Sequence, residues 1–216
     1  MTRNIQKYIE HTVLNPTLTD ADIEKVLQEA KTHKLFGVCV PPFWVKKVKR
    51  EIGKAEICLT TVIGFPLGYQ MSQTKEAEMN QAIDDGADEL DMVLNLSAFK
   101  AKMMWPKIEI AKFGKLAHAH DKLLKVIIET AYLNKNELLD LCKICADAGA
   151  DFVKTSTGFA DSGVKIEDVK LMRANLPAHV GIKASGGIKT YEQALAFIEA
   201  GADRIGTSNG PAIVTG

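Results

Sequence analysis

Neither sign of charge is in excess in this sequence. The 27 Lys and Arg residues stand against 27 Asp and Glu, a formal net charge of zero. That balance removes any bulk electrostatic pull toward nucleic acid or an anionic membrane, and leaves a small polar ligand in a local pocket as the expected partner. Long apolar runs are missing: nothing nears the roughly 18 residues of a membrane span. Residues 1–10 carry no apolar stretch of signal-peptide type. Cysteine is scarce, with Cys39, Cys58, Cys142 and Cys145 only. Without a secretory signal, so few cysteines point to a reduced, cytoplasmic setting. No linker, low-complexity tract or charge block divides the chain, so 1–216 reads as one domain. No G-x-G-x-x-G follows an early strand, which disfavours a dinucleotide-binding open sheet.

What is present is alternation. Short, β-branched apolar runs at 8–13, 35–40, 57–63, 89–94, 123–128, 151–155, 180–184 and 204–206 read as strands. Amphipathic stretches such as 20–33, 73–85, 135–148 and 191–200 lie between them and read as helices. Asp20 and Thr190 sit where helix N-caps belong. Gly86-Ala87-Asp88, Gly149-Ala150-Asp151 and Gly201-Ala202-Asp203 each join a helical stretch to a strand. Glycine there suits the left-handed residue that ends a helix. Eight strands alternating with helices predict an α/β fold, a (β/α)8 TIM barrel, although 216 residues are few beside the usual ~250.

A buried parallel strand should be almost wholly apolar, and burying an unpaired charge is costly. Four strands break the pattern, with Asp91, Lys125, Lys154 and Lys183 in or near their second halves. In a βα barrel those strand ends carry the chemistry. Inward lysines with one carboxylate suit imine chemistry on a carbonyl substrate. Lys154 is the candidate nucleophile, because burial and a neighbouring cation such as Lys183 both favour the neutral amine that attack requires. Three turns after strands are rich in Gly, Ser and Thr: 155–159, 184–189 and 206–210. Their backbone N–H groups and hydroxyls suit a phosphate, and the last two follow strands seven and eight, the usual phosphate place in such barrels.

Other features read as structural. Cys142 and Cys145 lie three apart in a helical stretch with no second pair, which favours packing over zinc. Cys39 closes an apolar strand as a small core residue, with reactivity the alternative. His118 and His120 read as surface residues, Trp44 and Trp105 as packing residues, and His11 as a strand residue that could face the barrel.

Three motifs carry a family resemblance: Leu124-Lys125-Val126-Ile127-Ile128-Glu129-Thr130, Gly149-Ala150-Asp151-Phe152-Val153-Lys154-Thr155-Ser156-Thr157-Gly158, and Gly181-Ile182-Lys183-Ala184-Ser185-Gly186-Gly187. With Ile9-Glu10-His11-Thr12, the run 62–68 and Glu89-Leu90-Asp91-Met92-Val93, the chain resembles the 2-deoxyribose-5-phosphate aldolases over nearly its whole length. The resemblance implies a class I aldolase, a lyase of deoxyribonucleotide catabolism. It would reversibly cleave 2-deoxy-D-ribose 5-phosphate to acetaldehyde and D-glyceraldehyde 3-phosphate through a lysine Schiff base, with no metal or organic cofactor. It implies the imine on Lys154, a second lysine at Lys183 and a proton-relay acid at Asp91. Substrate contacts are implied at Glu10, Thr12, Lys125, Thr157, Gly158, Gly186, Gly187, Gly206, Ser208 and Asn209. A homodimer is suggested at the family level only. Two departures stand out: Leu14-Asn15-Pro16 replaces a frequent Leu-Lys-Pro, and Ser208-Asn209 replaces paired serines. The chain stops at Gly216 without the Tyr-ended tail of some relatives, so proton transfer is expected to rely on Asp91, Lys183 and water. Two other readings remain open: another imine-forming or phosphate-binding barrel enzyme, and a non-catalytic sugar-phosphate-binding barrel.

Overall fold

A computed structural model describes residues 4–216. Eight parallel strands form a closed barrel in chain order. They are β1 (Ile9–Thr12), β2 (Gly37–Val40), β3 (Cys58–Ile63), β4 (Glu89–Val93), β5 (Leu123–Ile127), β6 (Phe152–Lys154), β7 (Gly181–Ser185) and β8 (Arg204–Thr207). Each falls within one residue of its predicted span or is trimmed by up to two at the start. Tyr8 belongs instead to a short 3-10 turn, Ile5–Tyr8. The helices, in chain order, are α1 (Asp20–His33), α2 (Val45–Ile52), α3 (Ser72–Asp84), α4 (Leu96–Lys100), α5 (Trp105–His118), α6 (Lys135–Asp147), α7 (Ile166–Asn175), α8 (Tyr191–Glu199) and α9 (Gly210–Thr215).

Strand side chains alternate between the two faces. Val38, Leu59, Leu90, Val126, Val153, Ile182 and Ile205 are fully buried and belong to the apolar core between barrel and helices. The intervening positions, Glu10, Thr60, Asp91, Lys125, Lys154 and Lys183, point inward and meet one another. That alternation is why charges interrupt otherwise apolar strands. His11, one position out of phase with Glu10, faces the helix layer, where its Nε2 lies 2.8 Å from Glu29 of α1. It does not face the barrel interior.

The repeated Gly-Ala-Asp join has a physical function. Gly86, Gly149 and Gly201 adopt φ of 99°, 83° and 108°, the left-handed conformation that closes each helix at little cost. The following Asp then latches the next strand to the one before it. Asp88, Asp151 and Asp203 each accept the backbone N–H of Leu59, Leu124 or Ile182 at 2.8–3.0 Å. Each also donates its own N–H to the carbonyl of that same residue. So β4, β6 and β8 enter the barrel through the same fixed joint. α8 begins at Thr190 with a reciprocal cap, Thr190 with Gln193. For α1 the cap is Thr19 rather than Asp20, because Thr19 lies just outside the helix in extended backbone while its hydroxyl takes the Asp22 N–H. Trp105 does not pack as expected: it is 44% exposed at the first turn of α5. Trp44 packs against the core.

Candidate active site

The inward charges form one buried cluster. Asp91 lies at its centre, fully buried. Its Oδ1 accepts from Lys125 at 2.8 Å, and its Oδ2 accepts from both Lys154 at 2.9 Å and Lys183 at 2.7 Å. Lys183 also pairs with Glu10, and Lys125 with Glu89 at 2.6 Å. Strand register brings these groups together: Asp91 pairs with Lys125, Ile127 with Lys154, and Lys154 with Lys183. Gly206 on the neighbouring strand β8 leaves the necessary room, since a Cβ there would stand 3.2 Å from Lys183 Cε.

Three lysines thus face three carboxylates, Glu10, Glu89 and Asp91, in the buried interior. Burial works to raise the Asp91 pKa, but Lys125, Lys154 and Lys183 override it and hold the carboxyl well below the usual range. Glu10 is likewise lowered on balance, against burial, by Lys125 and Lys183. Burial works to lower the Lys183 pKa, but Asp91 and Glu10 dominate and push it up. Lys125 is raised further by Asp91, Glu10 and Glu89 against the same burial. Lys183 and Lys125 are therefore fixed cations at neutral pH.

The sequence-predicted residues divide into two groups. Lys154 opens into a cavity of about 180 Å³ shared with Thr12, Thr157, Gly158, Gly186, Gly187, Gly206 and Ser208. Gly158, Gly186 and Gly187 have φ of 88°, 99° and 83°, a backbone shape that only glycine adopts freely. Asp91, Lys183, Glu10 and Lys125 lie beneath, in contact with Lys154 or one another rather than along that cavity. Asn209 lines a neighbouring 310 Å³ pocket behind the loop, beside His11 and Glu29. Lys189, Ser185 and Thr207, which the sequence placed in the phosphate-type turns without singling them out, also line the Lys154 cavity. Sequence reasoning missed Glu89. Its place, two residues before Asp91 on the same inward face, was the available signal. The Cys39 thiol is fully buried, and burial pushes its pKa up, so it is not a reactive thiolate. Cys142 and Cys145 are core residues of α6, as expected.

Such a site can present an amine to a carbonyl carbon, with an anion and a second cation behind it, while turns rich in backbone N–H groups hold an anionic group about one small-molecule length away. Among the described residues no three His, Cys, Asp or Glu side chains group as a metal site. Among the described residues no helix is long and apolar enough to cross a membrane.

The family model for DeoC/LacD family aldolases matches residues 5–216. The deoxyribose-phosphate aldolase of Thermococcus gammatolerans is 49% identical, over 99% of this chain and 96% of its own. Among solved structures, the aldolase QR15 superposes with a TM-score of 0.94 at 41% identity, covering 100% of this chain and 96% of that one. The tetrameric deoxyribose phosphate aldolase from Aeropyrum pernix superposes with a TM-score of 0.91 at 32% identity, covering 98% and 89%.

Proposed function

The chain belongs to the DeoC/LacD family of aldolases, and we propose that it cleaves 2-deoxy-D-ribose 5-phosphate reversibly to acetaldehyde and D-glyceraldehyde 3-phosphate through an imine on Lys154. The observation that carries this reading is the placement of one amine. Of the three lysines in the cluster, Lys154 alone reaches the cavity, while Asp91 Oδ2 joins it to Lys183. A non-catalytic sugar-phosphate-binding barrel would have no use for so costly a buried cluster.

Lys154 Nζ, as the neutral amine, adds to C1 of the open-chain sugar, and loss of water with uptake of one proton, released again on hydrolysis, leaves a protonated imine. The C3 hydroxyl passes its proton to a water held in the field of Asp91, and that proton is the one later delivered to C2. The C2–C3 bond breaks, since acetaldehyde keeps two carbons and glyceraldehyde 3-phosphate three. Its electron pair enters the imine and forms an enamine, and the C3 oxygen becomes the new carbonyl. Protonation at C2 and hydrolysis free acetaldehyde and restore Lys154. Asp91, with its carboxyl held low by three lysines, is a poor proton store and serves as the fixed anion of the relay. Lys183 supplies a lasting positive charge beside the developing imine. Gly158 and the loops 185–189 and 206–208 hold the phosphate, with Lys189 as a cation on the same cavity.

Self-association as a homodimer is part of this reading, with the tetramer of the Aeropyrum pernix relative as the alternative arrangement. So is a cytoplasmic setting, which suits the four free cysteines. The test is borohydride trapping with deoxyribose 5-phosphate, followed by peptide mapping. A reduced adduct on Lys154, lost together with turnover in Lys154→Leu, supports the proposal. No adduct, or one on Lys125 alone, rules it out, and turnover that survives borohydride points to an isomerase.

A further inference from the structure

Glu129 is a residue the proposed mechanism does not use, and it is unusual in three ways. It follows β5 with φ of 47° and ψ of 74°, a left-handed conformation that a glutamate adopts reluctantly. The residues around it keep the β5–β6 ladder going: Ile128 N–H donates to the Lys154 carbonyl at 3.0 Å and Thr130 N–H to the Thr155 carbonyl at 2.8 Å. Glu129 alone turns out of that ladder. The residue is 4% exposed, and one carboxylate oxygen, Oε1, is buried with no protein partner. A strained backbone and an unpaired buried oxygen both work against folding, so they point to a function.

The function lies in what Oε2 holds. It accepts the backbone N–H of Thr157 at 3.1 Å and, by a short bond, the Thr157 hydroxyl. As a carboxylate oxygen Oε2 accepts both bonds, so the hydroxyl proton of Thr157 points at Glu129. A threonine hydroxyl has one proton and two lone pairs. The proton is committed to Glu129, and one lone pair takes the Phe159 N–H at 3.0 Å. One lone pair remains, and Thr157 lines the Lys154 cavity. Toward a ligand, Thr157 can therefore only accept.

We infer that Glu129 is a specificity-determining positioning residue: it makes Thr157 an obligate acceptor for a substrate hydroxyl. This rests on the function proposed above. An obligate acceptor cannot serve a phosphate oxygen or a carbonyl, which themselves accept. The C3 oxygen of the sugar changes from hydroxyl to carbonyl during cleavage. The C4 oxygen stays a hydroxyl in both the sugar and D-glyceraldehyde 3-phosphate. The C4 hydroxyl is the partner that Thr157 can hold throughout the reaction. Selection for that hydroxyl is then built into the turn after β5, one strand away from the lysine it serves.

The test uses the synthetic direction with acetaldehyde and two acceptors: D-glyceraldehyde 3-phosphate, and 3-oxopropyl phosphate, which lacks the hydroxyl. The unaltered protein should favour the hydroxylated acceptor in kcat/KM, because the alternative leaves a buried acceptor unpaired. Glu129→Ala should reduce that preference by about tenfold or more. Thr157→Val should reduce it to a similar extent, and the double variant should show little further change. Glu129→Gln, whose amide oxygen can take the same two donors, should keep most of it. Every variant should still give the borohydride-reduced acetaldehyde adduct on Lys154, which checks that the barrel is folded. Equal slowing of both acceptors in Glu129→Ala, or an unmoved ratio in Thr157→Val, overturns the inference alone. No adduct in the unaltered protein overturns the proposed function and this inference together.

Discussion

Replacing Lys125 with methionine removes a cation that touches no solvent and no cavity. Its Nζ lies 2.6 Å from Glu89, 2.8 Å from Asp91 and 3.7 Å from Glu10. A pair of opposite charges 2.8 Å apart interacts by about 6 kcal/mol at an effective dielectric near 20. Desolvation of the lysine offsets part of that, and breaking one side of a buried pair typically costs about 3–5 kcal/mol, because the remaining charge stays buried. Three carboxylates would then face two lysines. We expect Lys125→Met to lose about 3–5 kcal/mol at pH 8. The loss should depend on pH with a definite sign. In the unaltered protein the lysines depress Asp91 and Glu10. Their stabilisation is present above the unfolded carboxylate pKa and is lost only as pH falls through the lower folded values. In the variant one cluster carboxylate is instead harder to ionise in the folded state. Its penalty is felt at high pH and relieved as the cluster takes up a proton on acidification, by at most about 1.4 kcal/mol per pH unit. Urea unfolding at pH 8 and pH 5 measures both quantities. Lys125→Met combined with Glu89→Gln restores the charge balance and should recover part of the loss at pH 8. A destabilisation below about 1 kcal/mol, or one equal at both pH values, would refute the view of the barrel interior as a balanced charge cluster.

Lys183→Leu should move the acid limb of the kcat/KM profile to higher pH. Attack needs a neutral amine, and the fixed cation that opposes a second positive charge is gone; a limb that stays in place argues against that electrostatic role. Asp151→Ala should destabilise by about 1–3 kcal/mol in urea unfolding, because the Leu124 N–H loses its partner at 2.8 Å inside the barrel wall. It should leave the Lys154 adduct intact, and its effect should add to that of Asp203→Ala, which breaks a separate joint.

The barrel was legible in the sequence because its strands and helices repeat, and the Gly-Ala-Asp joins repeat with them. The lysines were legible because a charge inside an apolar strand needs a reason. What stayed hidden depends on facing and partnership, which spacing alone does not show. His11 and Glu10 are neighbours in one strand, yet one meets α1 and the other meets Lys183. The sequence pairs Lys154 directly with Lys183; the fold places one oxygen of Asp91 between them. Glu129 stands inside a quoted motif, but its left-handed backbone and its hold on Thr157 come from the packing of β5 against β6. Trp105 misled because aromatic residues usually pack, and only the start of α5 shows it turned outward.

The pairing of the first strand with the last has a consequence for synthesis. Glu10 is made early, but Lys183, the cation that answers it, comes 173 residues later. The β1 edge is capped only when Arg204–Thr207 arrives. A chain growing from the ribosome therefore carries an acidic group destined for a buried interior, beside an unpaired strand, for most of its elongation. The reactive amine gains its full set of neighbours only when the ring shuts. Imine formation should thus switch on abruptly with length in a series of nascent chains, and so report closure rather than the gradual gain of helix.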